Sequence, residues 1–234
     1  MGIVEPRPQQ RIVLVAEFLA AVLFIAMLAM PAFAAYSVPK FGDVGKDHEY
    51  YRAIMGLREA RAVDGYPNNT FRPEENVWRA QFAKMLVTAV GMTDKRGNEA
   101  RENMIAQFDD LGSDDPASLY PHEYVAIVAD RGVALGVAPG KFAPYTGITR
   151  AQMVTMAVRA AHVMYPTAMK DPPDNFYSPL GSFSDTHAEN MRVAEWNGLL
   201  DGLVGFGASW SPWVPASRGE VAQILWNMHR KAKG

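Results

Sequence analysis

The stretch FRPEENVWRAQF at residues 71–82 has two counterparts later in the chain, FAPYTGITRAQM at residues 142–153 and WSPWVPASRGEV at residues 210–221. In each stretch an aromatic residue and a proline are separated by one residue, and an arginine follows six positions after the proline. A pattern that recurs at near-regular spacing is typical of a repeat protein. We therefore interpret the chain as three copies of one unit.

Two further landmarks surround each stretch in the same order. An aromatic residue followed two positions later by aspartate opens each copy, at Phe41-Gly42-Asp43, Phe108-Asp109-Asp110 and Phe183-Ser184-Asp185. A tripeptide ending in glycine then precedes the aromatic residue and proline, at Val63-Asp64-Gly65, Ala134-Leu135-Gly136 and Leu200-Asp201-Gly202. These landmarks predict repeats at residues 41–92, 108–165 and 183–232.

Each copy is predicted to be a helix, a turn-rich loop and a second helix. The second helix begins at the arginine, because the apolar residues that follow it have helical spacing. These residues are Phe82, Met85, Leu86 and Ala89, then Met153, Met156, Ala157 and Ala160, then Val221, Ile224, Leu225 and Met228. One helix cannot bury such a stripe alone, so we expect the three stripes to share a core.

Capping residues support this helix start in two of the copies. Thr149 with Gln152, and Ser217 with Glu220, form the capping-box pattern, in which a hydroxyl accepts a free backbone N–H. The first copy has Trp78 at the hydroxyl position. Its helix is therefore expected to have a less well-defined start.

Residues 1–34 have the layout of an export segment. Arg7 and Arg11 precede an apolar run at residues 18–30, and the small residues Ala32 and Ala34 follow it. This order is typical of a secretory signal peptide, with cleavage expected after Ala34. The apolar stretch 12–35 is also long enough to be an uncleaved membrane anchor. Either way, the rest of the chain is expected outside the cytoplasm, at the cell envelope.

The composition argues against several classes of protein. The chain has 234 residues, no cysteine and a formal net charge of −2. This charge does not favour nucleic acid as a partner, and the lack of cysteine excludes disulfides and thiolate metal sites. No nucleophile motif, phosphate loop or dinucleotide fingerprint is present. We therefore expect a binding protein without enzymatic activity, cofactor or metal.

Recurring histidines and aspartates are the other candidates for a catalytic or metal site. The histidines drift relative to the arginines, and no acidic partner recurs beside them, so we interpret them as structural. The aspartates precede the first helix of each copy and are interpreted as its N-caps. The residues are His48, His122 and His187, and Asp43, Asp110 and Asp185.

These motifs resemble the S-layer homology repeat, whose hallmarks are an F-x-D opening, a G-Y-x-D-G-T-F-x-P loop and a helix start reading I-T-R-A-E. The first copy has F-G-D-V from Phe41, G-Y-P-N-N-T-F-R-P at residues 65–73 and V-W-R-A-Q at residues 77–81. The second copy reads I-T-R-A-Q at residues 148–152, and the third keeps Arg218 and Glu220. The resemblance covers nearly all of the chain after Tyr36.

The resemblance implies a mainly α fold, preceded here by the N-terminal hydrophobic helix. Its three helix-loop-helix repeats would form a pseudo-three-fold bundle with grooves between neighbouring repeats. In the family these grooves bind anionic envelope glycans, chiefly pyruvylated secondary cell-wall polymer, and the helix-start arginine contacts the acidic ketal. The candidate ligand residues are then Arg79, Arg150 and Arg218, with Gln81, Gln152 and Glu220 beside them.

The residues themselves also suggest anion binding. An arginine in the first helical turn lies where free N–H groups and the helix dipole attract an anion, although a cation there costs the helix about 0.3–1 kcal/mol. The alternative is that each arginine pairs with a neighbouring carboxylate, for which the opening aspartates Asp43, Asp110 and Asp185 are candidates. Among the tryptophans, Trp78 is the one expected to be exposed, where it can stack on a sugar.

Two functions follow from these features. The first is non-covalent binding to an acidic cell-wall polysaccharide, which would anchor the chain at the cell surface. The alternative is a structural subunit tethered by an uncleaved N-terminal helix, which docks on a membrane protein complex without binding glycan.

Overall fold

The fold is mainly α-helical. The computed structural model describes residues 40–92, 107–113, 120–178 and 185–233. The helices in these ranges are α1 (Tyr51–Glu59), α2 (Arg79–Val90), α3 (His122–Asp130), α4 (Arg150–Met164), α5 (Asp185–Trp196) and α6 (Arg218–Lys233). The helix-loop-helix pattern and the mainly α fold are therefore confirmed. The export segment predicted at residues 1–34 lies outside the described residues, and no helix within them has the length and apolarity needed to cross a bilayer.

The second helices of the three copies form the centre of the bundle. Helices α2, α4 and α6 contact one another, and each carries one first helix on its outer side. That first helix belongs to another copy, because α1 packs on α6, α3 on α2 and α5 on α4. The copies are thus interlocked in a cycle, in which each first helix covers the second helix of the preceding copy.

The predicted apolar stripes supply the shared core. Phe82, Leu86, Met153 and Leu225 are buried there, as are most other members of the three stripes. The exceptions are Met85 and Ala89, which are only partly buried and pack against the core from its edge. A shared core is what helices with one apolar stripe each require, since none can bury its stripe alone.

A closed ring of backbone hydrogen bonds joins the copies just before their second helices. The N–H of Val77 donates to Ala216 O at 3.0 Å, that of Ala216 to Ile148 O at 2.8 Å, and that of Ile148 to Val77 O at 2.8 Å. All three residues are completely or almost completely buried. Each copy therefore donates one bond to a neighbour and accepts one from the other.

Neighbouring copies also cap the N-termini of the second helices. In α2, the N–H groups of Arg79 and Ala80 donate to Thr146 O and Pro144 O at 3.0 Å each. The same exchange recurs for α4 (Arg150 to Val214 and Ala151 to Pro212) and for α6 (Arg218 to Glu75 and Gly219 to Pro73). The first two N–H groups of each helix are therefore occupied, and the expectation that they are free to attract an anion is wrong.

The start of α2 is as well defined as the other two. Trp78 has no hydroxyl to accept a hydrogen bond, and only its own N–H donates, to Gln81 Oε1 at 2.9 Å. The helix nevertheless begins at Arg79, in register with Arg150 and Arg218. The expected loss of definition is wrong because the carbonyls of the second copy bind the N–H groups of Arg79 and Ala80 and so fix the helix start without a hydroxyl cap.

The opening aspartates of the first two copies bind the loop of their own copy and are not helix N-caps. Asp43 accepts from the N–H groups of Phe71 and Arg72 at 2.8 and 2.7 Å. Asp110 accepts from Phe142 and Ala143 at 2.9 and 2.7 Å. The N-cap interpretation is therefore wrong for these two, because the aromatic residue and proline turn back toward the opening of the copy. In the third copy, α5 begins at Asp185 itself.

The two hydrogen bonds that Asp110 accepts lead to a stability prediction. Asp110→Ala removes a carboxylate that accepts two N–H groups, and a hydrogen bond to a charged group contributes about 1.5–3 kcal/mol. We expect the free energy of unfolding, measured by urea titration, to fall by about 3 kcal/mol. The matched control is Asp109→Ala, because Asp109 forms only an exposed pair with Lys141. Equal effects of the two substitutions on the free energy of unfolding would show that the two hydrogen bonds to Asp110 do not stabilise the fold.

Candidate functional site in the clefts between copies

The helix-start arginines reach across the copy boundaries. Arg79 Nε donates to Phe142 O at 2.9 Å, and Arg218 Nε donates to Phe71 O at 2.8 Å. Arg150 Nη1 donates to Ser211 O at 3.2 Å. Each guanidinium thus binds the aromatic-and-proline loop of the next copy, with its carbon 4.6–5.0 Å from the centre of that loop's aromatic ring.

These contacts bury two of the three arginines. Arg79 and Arg218 are more than nine-tenths buried, whereas the side chain of Arg150 is about one-fifth exposed. Burial lowers the pKa of Arg79 to about 10, with Asp110 opposing the shift, and burial also lowers the pKa of Arg218. Both guanidinium groups remain charged at neutral pH. The alternative, pairing with a neighbouring carboxylate, is found for Arg150, which pairs with Glu220. Pairing with Asp43 and Asp110 is not found, because those carboxylates accept backbone N–H groups.

Cleft 1 is a cavity of about 290 Å³ in which all three copies meet. The third copy contributes Arg218 and the second contributes Tyr120. The first copy supplies the rest of the wall, from residues 62–66 and from Trp78, Gln81, Lys84, Met85 and Thr88. Arg218 and Lys84 make the cleft cationic, and Asp64 is the one carboxylate in its lining.

Cleft 2 is the equivalent cavity one step round the bundle, with a volume of about 240 Å³. Arg79 of the first copy takes the place of Arg218, and Gln152 takes that of Gln81. The remaining lining comes from residues 133–137, Thr155, Met156 and Arg159 of the second copy and from Thr186 and His187 of the third. Among the side chains that the structure describes, none in this lining is a carboxylate, and its cationic groups are those of Arg79 and Arg159.

His187 contributes a neutral side chain to cleft 2. Its Nδ1 lies 2.7 Å from the hydroxyl oxygen of Thr155. Burial and the nearby charge of Arg159 lower the pKa of His187, so the imidazole is uncharged at neutral pH. His48 bonds Glu74 and the N–H of Tyr50, and His122 is buried. Each histidine lies in a different environment, and no group of three or more metal-ligating side chains forms within the described ranges.

The third equivalent position is closed. The Nη2 of Arg150 lies 2.6 Å from Glu220 Oε1, and the Glu220 side chain is only 5% exposed. Tyr50 of the first copy fills the remaining space, and its hydroxyl oxygen accepts from Val204 N at 3.2 Å. Its ring lies against Gly219, where a Cβ atom would come within 2.3 Å of it.

The third residue of each second helix determines the charge opposite the arginine. Glu220 neutralises Arg150, whereas Arg79 and Arg218 face the neutral side chains of Gln152 and Gln81. The sequence pattern predicted each of these residues beside the arginine of its own copy. In the structure each serves the arginine of the preceding copy, because the guanidinium crosses the boundary.

The clefts contain residues that the sequence analysis missed. Lys84 and Arg159 have no counterpart in the other copies, so no repeat pattern marks them. Tyr120 had a weak signal, since a tyrosine also precedes the first helix of the first copy, at Tyr50. Trp78 is about half exposed as expected, but so are Trp196 and Trp213, which were not anticipated.

Known proteins share this sequence pattern. The S-layer homology domain matches residues 40–83 and 107–154, which correspond to most of the first two copies. The S-layer protein EA1 of Bacillus anthracis is 30% identical over 133 residues, covering 57% of this chain and 14% of that protein. An uncharacterised cell wall amidase of Bacillus anthracis is 26% identical over 212 residues, or 91% of this chain and 36% of the relative.

An endoglucanase of a Bacillus species is also similar, at 32% identity over 120 residues, which is 51% of this chain and 11% of that protein. The chain thus spans about a third or less of the length of the curated relatives described here. The names of these relatives include a surface-layer protein and two enzymes, so the shared segment occurs in proteins of different kinds. The two matched segments are S-layer homology domains, and they place the chain at the extracytoplasmic cell envelope.

Proposed function

We propose that the chain binds non-covalently to an anionic polymer of the cell envelope and is anchored there by it. The polymer is a pyruvylated secondary cell-wall glycan or another acidic polymer linked to peptidoglycan. Its acidic groups enter clefts 1 and 2, and the closed third position takes no part. The third copy, predicted at residues 183–232 from the sequence pattern, belongs to the binding unit because it contributes Arg218 to cleft 1.

The observation that carries this proposal is the presence of glutamine opposite two of the three arginines. Arg150 has an internal carboxylate partner in Glu220, whereas Arg79 and Arg218 face Gln152 and Gln81. A buried cation without a carboxylate partner is costly, and an anionic ligand removes that cost. The ligand therefore supplies the charge that Glu220 supplies at the third position.

The contacts of Arg218 leave room for a stronger acceptor. Its Nε is held by Phe71 O, but its Nη1 contacts the sulfur of Met85 at 3.7 Å and its Nη2 contacts Asp64 O at 3.4 Å. Sulfur is a weak acceptor, and the second distance is long for a hydrogen bond. A carboxylate in cleft 1 forms shorter, charge-assisted bonds with such a guanidinium edge.

If the clefts bind acidic groups, carboxylates introduced inside the clefts should prevent that binding. The double variant Gln81→Glu, Gln152→Glu places at both arginines the residue that closes the third position. We expect its binding to purified cell walls, measured by co-sedimentation, to weaken about tenfold or more, which corresponds to a loss of at least about 1.4 kcal/mol. Its melting temperature should not fall, because Arg79 and Arg218 gain a partner.

Controls separate this effect from a general change of charge. Thr167→Glu adds a carboxylate at an exposed position that lines neither cleft and should bind normally. Walls stripped of their acidic polymer should not retain the wild-type chain, and about 1 M salt, where the Debye length is about 3 Å, should weaken retention. Undiminished binding by the double variant, or equal binding to stripped walls, would rule out the proposal.

A further inference from the structure

A further cavity, the α6 cavity, lies near the C-terminal end of α6. Its volume is about 660 Å³, and its described lining shares no residue with clefts 1 and 2. The walls come from the last turns of α6, from residues 197–201 after α5 and from residues 167–170 after α4. Arg230 of this lining lies about 18 Å along the helix axis from Arg218 of cleft 1, at 1.5 Å per residue. The cavity is therefore separate from the clefts proposed to bind the wall polymer.

The buried side chain of Asn197 fixes one wall of the α6 cavity. Its Oδ1 accepts the N–H of Lys170 at 3.1 Å, and its Nδ2 donates to Lys170 O at 2.7 Å and to Val193 O at 2.8 Å. The residue is only 7% exposed. Burial of an amide is costly unless its groups are hydrogen-bonded, and these three bonds offset that cost. The backbone of Lys170 is thereby fixed at the edge of the cavity.

Asn227 fixes the opposite wall in the same way. Its Nδ2 donates to Leu199 O at 3.0 Å and to Asp201 O at 2.8 Å, and its Oδ1 accepts from Gln223 Nε2 at 3.1 Å. Asn227 is also only 7% exposed. The turn that follows α5 is therefore held against α6, and two buried amides together determine the shape of the cavity.

Cations from two separate segments line the α6 cavity. Arg230 and Lys231 belong to the last turn of α6, and Lys170 belongs to the segment after α4. Basic residues in the last turn of a helix interact favourably with the helix dipole, which explains cations on α6 itself. Lys170 lies outside that helix, and its backbone position is set by Asn197. Helix stabilisation therefore does not explain why a third cation lines this cavity.

Asp201 adds a hydrogen-bond acceptor to the cationic lining. A Cβ atom added to Gly198 would lie 2.9 Å from its Oδ2, so the carboxylate lies beside this glycine. The described side chains of the lining comprise three cations and this carboxylate, which gives a net charge of +2. A phosphate monoester carries a charge of about −1.5 to −2 at neutral pH. The cavity thus has the charge that such a group requires.

We propose that the α6 cavity binds a small phosphorylated polyol. The phosphate oxygens accept charge-assisted hydrogen bonds from Lys170, Arg230 and Lys231, which are shorter and stronger than bonds between neutral groups. A hydroxyl group of the polyol donates to the carboxylate of Asp201. The volume lies within the range of about 300–1,000 Å³ that is typical of small-molecule sites. This site acts in addition to clefts 1 and 2 and does not depend on the proposed binding of the wall polymer.

The decisive variant is the double substitution Lys170→Gln, Arg230→Gln, tested with glycerol 3-phosphate. We expect its affinity, measured by calorimetry on the full chain at low salt, to fall about tenfold or more, because two charge-assisted contacts are lost. Its melting temperature should stay close to that of the wild type, since both side chains are exposed. The matched control is Lys233→Gln, which removes a cation from the same helical turn but outside the lining and should bind normally.

Inorganic phosphate tests the contribution of Asp201. The wild type should prefer glycerol 3-phosphate to inorganic phosphate, and Asp201→Asn should reduce that preference, because the carboxylate accepts the hydroxyl group but repels free phosphate. Absence of glycerol 3-phosphate binding by the wild type, or equal losses in Lys233→Gln and the double variant, would overturn the site. Equal affinity of the wild type for both phosphates would overturn the assignment of a polyol. None of these outcomes affects the proposed binding of the wall polymer, which is measured separately with cell walls.

Discussion

Arg218→Ala is expected to lower the free energy of unfolding by about 3 kcal/mol, although the residue lies in a candidate binding site. The substitution removes the bond from Nε to Phe71 O and leaves that carbonyl buried without its donor. It also removes the guanidinium from the Phe71 ring, 4.6 Å away. Because these contacts join the third copy to the first, their loss weakens the closure of the bundle.

Urea unfolding followed by circular dichroism measures this effect. Arg52→Ala is the control, since Arg52 is an exposed arginine of α1 and should lose almost nothing. Arg218→Lys keeps the charge but loses the planar fork that bonds the carbonyl and lies against the ring, so it should also be destabilised. A lysine variant as stable as the wild type would show that charge alone is needed at this position.

Ile148→Ala is expected to cost about 2–5 kcal/mol, the range for truncating a buried isoleucine. Ile148 is completely buried and belongs to the hydrogen-bonded ring with Val77 and Ala216. The cavity therefore forms where all three copies meet. We expect the cost to be distributed over the whole bundle, although the substitution lies in the second copy.

Two probes test this expectation together. Four of the five tryptophans, Trp196, Trp210, Trp213 and Trp226, lie in the third copy, so fluorescence reports mainly on that copy. Circular dichroism reports on all helices. The two urea transitions should shift together to the same lower midpoint, as one cooperative unit requires. Leu135→Ala, at a position 70% exposed, should leave both unchanged, and separated transitions would show that the copies unfold independently.

The features that sequence analysis predicted correctly are local ones. Helical spacing after Arg79, Arg150 and Arg218 identified the second helices, because the period of apolar residues reflects one buried face. The common register of the three starts followed from the same spacing. Trp210 is buried at the position where the other two copies have Phe71 and Phe142, in line with the repeat pattern.

The features that it could not predict are exchanges between copies. Nothing in one repeat indicates whether its arginine contacts its own loop or the next, so Gln81 was placed with Arg79 although it faces Arg218. The two opening aspartates were misinterpreted for a related reason, since their N–H partners lie about thirty residues further along the chain. Long-range geometry of this kind follows from the closed arrangement of the bundle.

The ring formed by Val77, Ile148 and Ala216 also fixes the number of copies. Every donor and acceptor of the ring is used within three members, unlike a solenoid, whose end repeats leave an open face for further growth. A fourth tandem copy would find no vacant edge on which to pair. More binding sites for a wall polymer would therefore require a second complete bundle of three copies, joined to the first by a linker. The avidity of such a tandem protein would depend on the length of that linker.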